Sequence, residues 1–377
     1  MSFLKVFMQE VRTLFSDFAI ILTIIGGVLL YAFFYPQPYS KENVTSLQIG
    51  VIDNDRTTLS RDIILKLDAT PSVDVKRVYM SQKDAKEAIQ NKEITALVLL
   101  PKDMKKDIAL KKQVVIPVGA DGSYFLIYGG VLEAAMRTIL TEAAGIKIAN
   151  LLVKGVPLEG VKKQYTPFSL QTINLFNPQN SYTQYILPAV FILILHQTLL
   201  IGLGIFGGGV RERAYKEYDY DVPLGYTLLS RYFIFGGIFF IHLLFYLGFA
   251  FDFFEVRHLA GIGDIIAFGL VFLFATISFG VFLGSLFPVR EMATPVVLFS
   301  SLPVVFSAGF VWPLEALPQT LVMISKLIPA VPAMDGFLKL NQMGASLDMI
   351  SSEASILFFE GIVYLLLAVV VLKRKNS

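Results

Sequence analysis

Residues 18–35 read FAIILTIIGGVLLYAFFY, and no Asp, Glu, Lys or Arg interrupts them. A helix of about 20 apolar residues crosses the hydrocarbon core of a bilayer, so this stretch predicts a first membrane span. The run is longer than the ~7–15 residue apolar region of a secretory signal and lacks a small-x-small cleavage site, so it is read as uncleaved. Five further stretches share its character: Tyr182 to Phe206, Tyr232 to Phe251, Ile265 to Phe287, Ala293 to Val311 and Ile356 to Leu372. The expected fold class is a polytopic α-helical membrane protein with six transmembrane helices and an inserted extracytoplasmic α/β domain. Composition agrees, with 55% hydrophobic and 16% charged residues, against ~25% charged in soluble domains. Cysteine is absent and the net charge is +2. Disulfides, thiolate metal sites and a nucleic-acid partner are therefore not expected.

Upstream of the first span, FLKVFMQEVRTLFS (3–16) sets Phe3, Leu4, Phe7, Val11, Leu14 and Phe15 against Lys5, Gln9 and Arg12. That spacing suits an amphipathic helix lying at a membrane surface. Residues 1–36 thus hold an interfacial helix and the first span.

Between residues 37 and 180 lie 34 of the 62 charged side chains, 19 basic and 15 acidic, which marks a water-soluble domain. Strand-like runs at Leu47 to Ile52, Val73 to Tyr79, Thr95 to Leu100 and Val114 to Val118 alternate with helical segments. Ser81 suits the cap of a helix running to about Asn91, Pro101 suits a first helical turn, and Tyr124 to Val153 reads as one long helix. Asp53, Asp55 and Asp121-Gly122 mark turns. Lys102, Lys105, Lys106, Lys111 and Lys112 form either a solvated face or an anion-binding patch.

Residues 181–377 carry the second to sixth spans, with a charged loop at 207–231 and an element at 312–343. Pro313, Pro318, Pro329 and Pro332 break the latter. Backbone freed by proline persists at membrane depth only where protein or water satisfies it, so a re-entrant hairpin is expected. With the amino terminus inside, the short cytoplasmic pieces hold ten Lys and Arg, and the outer pieces hold Arg257, Lys326 and Lys339. The positive-inside rule then puts both termini in the cytoplasm and residues 37–180 outside.

No HExxH, G-x-S-x-G or G-x-x-x-x-G-K-[ST] motif occurs. Gly207-Gly208-Gly209 runs into Val210 and Arg211 and reads as a flexible helix end. An enzyme is not expected. Within the spans the ionisable candidates are His196, beside Gln197, and His242. Each is either a pathway contact or a neutral imidazole hydrogen-bonded to a neighbouring helix, and no buried carboxylate is expected there. The loop RERAYKEYDYDVPLGYTLLSR (211–231) is either a docking surface of mixed charge that includes a short surface helix, or a solvated connector.

Three local patterns follow in order: NPQNSYTQYILPAV (177–190), RER (211–213) and SAGFVWPLEALP (307–318). In that order, with an interfacial helix, one span, a soluble domain and five more spans, the chain resembles the permease subunit of ABC-2 type transporters, the class with a large extracytoplasmic domain. Ala214-Tyr215-Lys216 departs from the Glu-x-Gly-Thr type turn that often follows the charged loop in that family. The resemblance implies a non-catalytic exporter subunit that pairs with a second permease, identical or paralogous, in a bacterial inner membrane. It implies a cytoplasmic ABC ATPase dimer carrying ATP and Mg, with no cofactor on this chain. Arg211, Glu212, Arg213, Lys216, Glu217, Lys5 and Arg12 would couple to that ATPase. Gly309, Pro313, Glu315 and Pro318 would form an outer gate, and a periplasmic adaptor with an outer-membrane channel is a further implied partner. The competing reading is an envelope scaffold or receptor whose outer domain binds a ligand without transport.

Overall fold

In the computed structural model, residues 2–39, 45–122, 125–155, 175–177 and 181–376 are described. The chain divides into one unit of residues 1–40 and 174–377 and another of residues 41–173. Of the segment that the sequence reading carries from residue 37 to Asn180, residues 40–44, 123–124, 156–174 and 178–180 lie outside the described residues.

The first unit is helical. Helix α1 (Phe3–Ser16) precedes the apolar helical stretch α2 (Phe18–Tyr39), whose Leu22–Gly27 turn widens to a π-helix. Then come α7 (Tyr182–Arg211), α8 (Leu224–Phe253), α9 (Ile262–Leu286), α10 (Ala293–Ser307), α11 (Gln319–Ser325), α12 (Ala330–Met343) and α13 (Ser351–Asn376). Helix α7 is apolar on every side and almost wholly buried, so it forms the centre around which the others pack.

Among the described residues, five helices are long and apolar enough to cross a membrane. The stretch expected as a fifth span is the exception. Helix α10 has 15 residues, about 22 Å at 1.5 Å per residue, and Pro303 lies inside it. It nevertheless runs from one end of the bundle to the other. Arg290, just before it, pairs with Asp17 at the α1 end. Just after it, the Phe310 carbonyl accepts from the Tyr185 hydroxyl near the start of α7. The proline-broken stretch beyond it holds α11 and α12, bent by 90°. Lys339 ties α12 to α13 through Glu353 at 2.6 Å.

Further expectations about this unit fail. Gly207 to Gly209 are not a loose helix end but a packing face inside α7. A Cβ on Gly207 would lie 2.8 Å from the Gly284 backbone of α9, and one on Gly208 would lie 2.7 Å from Arg290 Cα. A buried carboxylate also exists: Glu360 sits within α13, 8% exposed, with neither oxygen hydrogen-bonded. Ten apolar-dominated residues on either side had hidden it.

The second unit is a sheet flanked by helices. Strands β1 (Leu47–Asp53), β2 (Val73–Tyr79), β3 (Ala96–Leu100) and β4 (Val118–Ala120) lie in the order β2-β1-β3-β4. The first three are mutually parallel and β4 is antiparallel to β3. Helices α3 (Thr58–Asp68) and α6 (Phe125–Val153) supply Ile63, Leu67, Val131 and Ala135 to the core on one face. Helix α4 (Gln82–Gln90) packs Ala85 and Ala88 against Ile52 and Tyr79 on the other. Ser81 caps α4 as expected, accepting from Asp84 N at 3.2 Å. The last strand starts later than its sequence suggests. Pro117 has no amide to donate, and its carbonyl alone meets Leu99 N at 2.9 Å. Pro101 does not open a helix: α5 (Met104–Ala109) begins after Asp103, held at φ 59° by the turn out of β3.

Candidate functional site

Helix α1 buries Val6, Glu10, Thr13 and Leu14, positions that recur at helical spacing and so share one stripe. A carboxylate on that stripe needs a partner, because an unpaired buried charge is strongly destabilising. Glu10 is 1% exposed and has two. Arg231 Nε, on α8, lies 3.1 Å from Oε2, and the Tyr218 hydroxyl donates to Oε1. The guanidinium also covers the Phe206 ring of α7 at 4.9 Å, a geometry that favours a cation. Burial pushes the Tyr218 phenol up, against the pull of Arg231 and with the push of Glu10, so it remains a donor.

A second junction sits at Asp17, between α1 and α2. Its Oδ1 accepts from Ala19 N at 3.1 Å and Ile20 N at 3.4 Å, capping α2. Arg290 Nη2 approaches Oδ2 at 2.6 Å, and the Tyr215 hydroxyl donates to Oδ2 at 3.2 Å. Burial, followed by the Asp17 charge, pushes the Tyr215 phenol up as well. One carboxylate thus joins α2, the chain after α7 and the chain after α9.

The connector between α7 and α8 is shorter than the charged loop read from the sequence. Helix α7 continues to Arg211 and α8 starts at Leu224, which puts Arg231 inside a helix. Residues 212–223 form turns rather than a surface helix. Gln9 clamps this connector by donating to Asp219 O and accepting from Asp219 N, both at 3.2 Å. Outside that clamp, Arg12 pairs with Glu217 at 3.0 Å, with the two side chains 79% and 76% exposed. Arg211 donates to the Leu286 carbonyl at 2.6 Å, and Arg213 lies 5.4 Å over the Tyr220 ring. Lys5, Glu212 and Lys216 are exposed. A cavity of about 570 Å³ behind the connector is lined by Arg211, Arg213, Tyr218, Arg231, Ser285 and Leu372, among others. The end of α7, the start of α8, and the ends of α9 and α13 therefore meet at the α1 end of the bundle.

Of the residues expected to couple, the structure brings Arg12 and Glu217 together and leaves Lys5, Glu212 and Lys216 pointing outward. Glu10, Asp17, Tyr215, Tyr218, Arg231 and Arg290 were missed as a group. Glu10 had a visible signal, since a carboxylate seven residues from Phe3 and four from Leu14 falls on the apolar face.

The candidate pathway residues are not assembled into one site. His196 is buried with its ring stacked 6.3 Å from Phe279, and its Nε2 has no hydrogen-bond partner. His242 meets Phe239 edge-on at 5.4 Å, and its Nδ1 is unpartnered. Of the two readings, a hydrogen-bonded imidazole finds no partner at these two nitrogens among the described residues, and Gln197 is half-buried. At the opposite end, Gly309 takes φ +88°, where a Cβ would also meet Leu314 at 2.9 Å. Pro313 and Pro318 precede the short helical turn at Leu314–Ala316 and α11, and Glu315 is exposed.

A family model described as ABC-2 family transporter protein matches residues 18–370. The chain belongs to that family, as a multi-pass membrane permease subunit. No curated protein matches the chain.

Proposed function

We propose that the chain is the membrane-spanning half of an ATP-driven exporter, powered by a separate cytoplasmic ABC ATPase that grips α1 and residues 212–223. The observation that carries this reading is the pair of carboxylates, Glu10 and Asp17. Through them α1, α2, the connector, α8 and the chain after α9 are bound into one block. A push on the exposed rim of that block, where Arg12 meets Glu217, reaches four apolar helices without passing through a flexible joint.

On this reading the α1 end faces the cytoplasm, in keeping with ten Lys and Arg against three in the short pieces, and residues 41–173 face outward. A second permease, identical or paralogous, completes the path, and the bent α11 and α12 close its outer end. ATP and Mg belong to the ATPase. The membrane is the bacterial inner membrane, and an adaptor with an outer-membrane channel would extend the route.

The test is co-purification of the full chain with its ATPase, followed by ATP hydrolysis in nanodiscs. Reversing Arg12, Arg211 and Arg213 to Glu is expected to abolish both association and chain-dependent hydrolysis. A chain that never recruits an ATPase, or a triple variant that couples as well as the unaltered protein, overturns the reading.

A further inference from the structure

The strand order β2-β1-β3 sends the chain from β1 to one side and from β3 to the other. In open α/β sheets, ligands bind outside the carboxyl ends of the strands at such a reversal. Here the loops leaving those two strands are tied together, with Lys105 N 3.4 Å from Asp55 Oδ1 and Lys105 Nζ 2.8 Å from Thr58 Oγ1. A cavity of about 820 Å³ opens beside them, walled by the start of α3, by α5 and by the last turns of α6. That volume suits a single small molecule, for which sites of roughly 300–1,000 Å³ are usual.

Its lining is divided by chemistry. Leu59, Ile108, Ile146 and Val153 make an apolar wall, and Val153 is 88% exposed. Lys105, Lys111 and Lys154 stand around it, against one carboxylate, Asp62, which Lys66 already holds at 2.7 Å. Of the five lysines singled out in the sequence, the fold directs Lys105 and Lys111 to this cavity and adds Lys154 from more than forty residues away, while Lys102, Lys106 and Lys112 do not line it.

We propose that this cavity binds an amphipathic anion, a single-chain molecule with a carboxylate or phosphate head held by the three lysines and an apolar tail along Ile108, Ile146 and Val153. Treating that molecule as exported cargo rests on the permease reading. The binding does not, and its measurement needs no ATPase, so failure here leaves ATPase co-purification to judge that reading separately.

The experiment uses the full chain in phosphatidylcholine nanodiscs, with radiolabelled dodecanoate and dodecyl phosphate as probes and empty nanodiscs subtracted. Dodecyltrimethylammonium tests the sign of the charge, and inorganic phosphate tests the head alone. Saturable binding of one or both anionic amphiphiles is expected, weakened about tenfold or more by Lys111→Glu with Lys154→Glu, because charged hydrogen bonds are lost and like charges introduced. Ile146→Trp, filling the apolar wall, is expected to abolish it, and Lys106→Glu to leave it unchanged. One change alters the charged part of the lining and the other its apolar part, so misfolding of one leaves the other to decide. No saturable uptake, equal binding of the cationic amphiphile or of phosphate alone, or indifference to both wall variants overturns the proposal.

Discussion

The two ends of the helical unit are fastened by different chemistry. At the α1 end, buried ion pairs do the work: Glu10 with Arg231, and Asp17 with Arg290. At the opposite end one ion cluster, Lys339 between Asp335 and Glu353, is partly exposed, and the remaining ties are neutral groups and backbone. Tyr185 donates to the Phe310 carbonyl, Gln184 to the Glu255 carbonyl at 2.7 Å, and Thr183 to the Tyr39 carbonyl at 2.8 Å. A buried ion pair resists parting because either half alone is costly in a low dielectric, whereas a neutral hydrogen bond exchanges readily for one to water. On the proposed function, the first end would move as a block and the second would rearrange.

The comparison breaks most visibly at Arg231. Arg231→Met strands Glu10 in the interior and is expected to cost about 3–5 kcal/mol, read as a lowered melting temperature of the detergent-solubilised protein. Adding Glu10→Gln should recover most of the loss, and a double variant as unstable as the single one would show that the pair is not what holds α1. Next comes Gly207→Val, which forces a branched side chain into the Gly284 backbone of α9. Overpacking of this kind costs about 1–3 kcal/mol, and the same melting assay measures it. Tyr185→Phe at the far end removes one neutral hydrogen bond, worth about 0.5–1.5 kcal/mol. Should it destabilise as much as Arg231→Met, the contrast between the ends is void.

The smallest stability effect belongs to Arg12→Ala. Its exposed pair with Glu217 is worth about 0–1 kcal/mol, so melting should barely change while, on the proposed function, stimulation of the partner ATPase falls. Separating these two readouts sharpens the comparison, since it distinguishes a contact that holds the fold from one that presents a surface.

Much of the architecture was readable because long apolar runs and period-2 strands are local signals. Phe18 to Tyr35, the run at Val73 to Tyr79 and the Ser81 cap carry their structure in a few adjacent residues. The errors fell where a distant partner decides. Gly207 to Gly209 look flexible in isolation and become a close-packing face only because α9 and the Arg290 turn lie against them. Arg231 reads as a loop charge until α8 is seen to begin at Leu224 and Glu10 to stand opposite. Glu360 escaped notice because a lone carboxylate barely dents the hydropathy of its helix.

Hydropathy sufficed, without coordinates, to read a polytopic membrane protein, and three short motifs in order carried the resemblance to ABC-2 permeases that the family match bears out. Hydropathy is a sum over neighbouring residues, and a bilayer responds to it directly. Which carboxylate meets which guanidinium, and which three of many lysines share a cavity, was decided only by tertiary structure. Such contacts join residues up to 273 positions apart, and no local pattern encodes a partner at that distance.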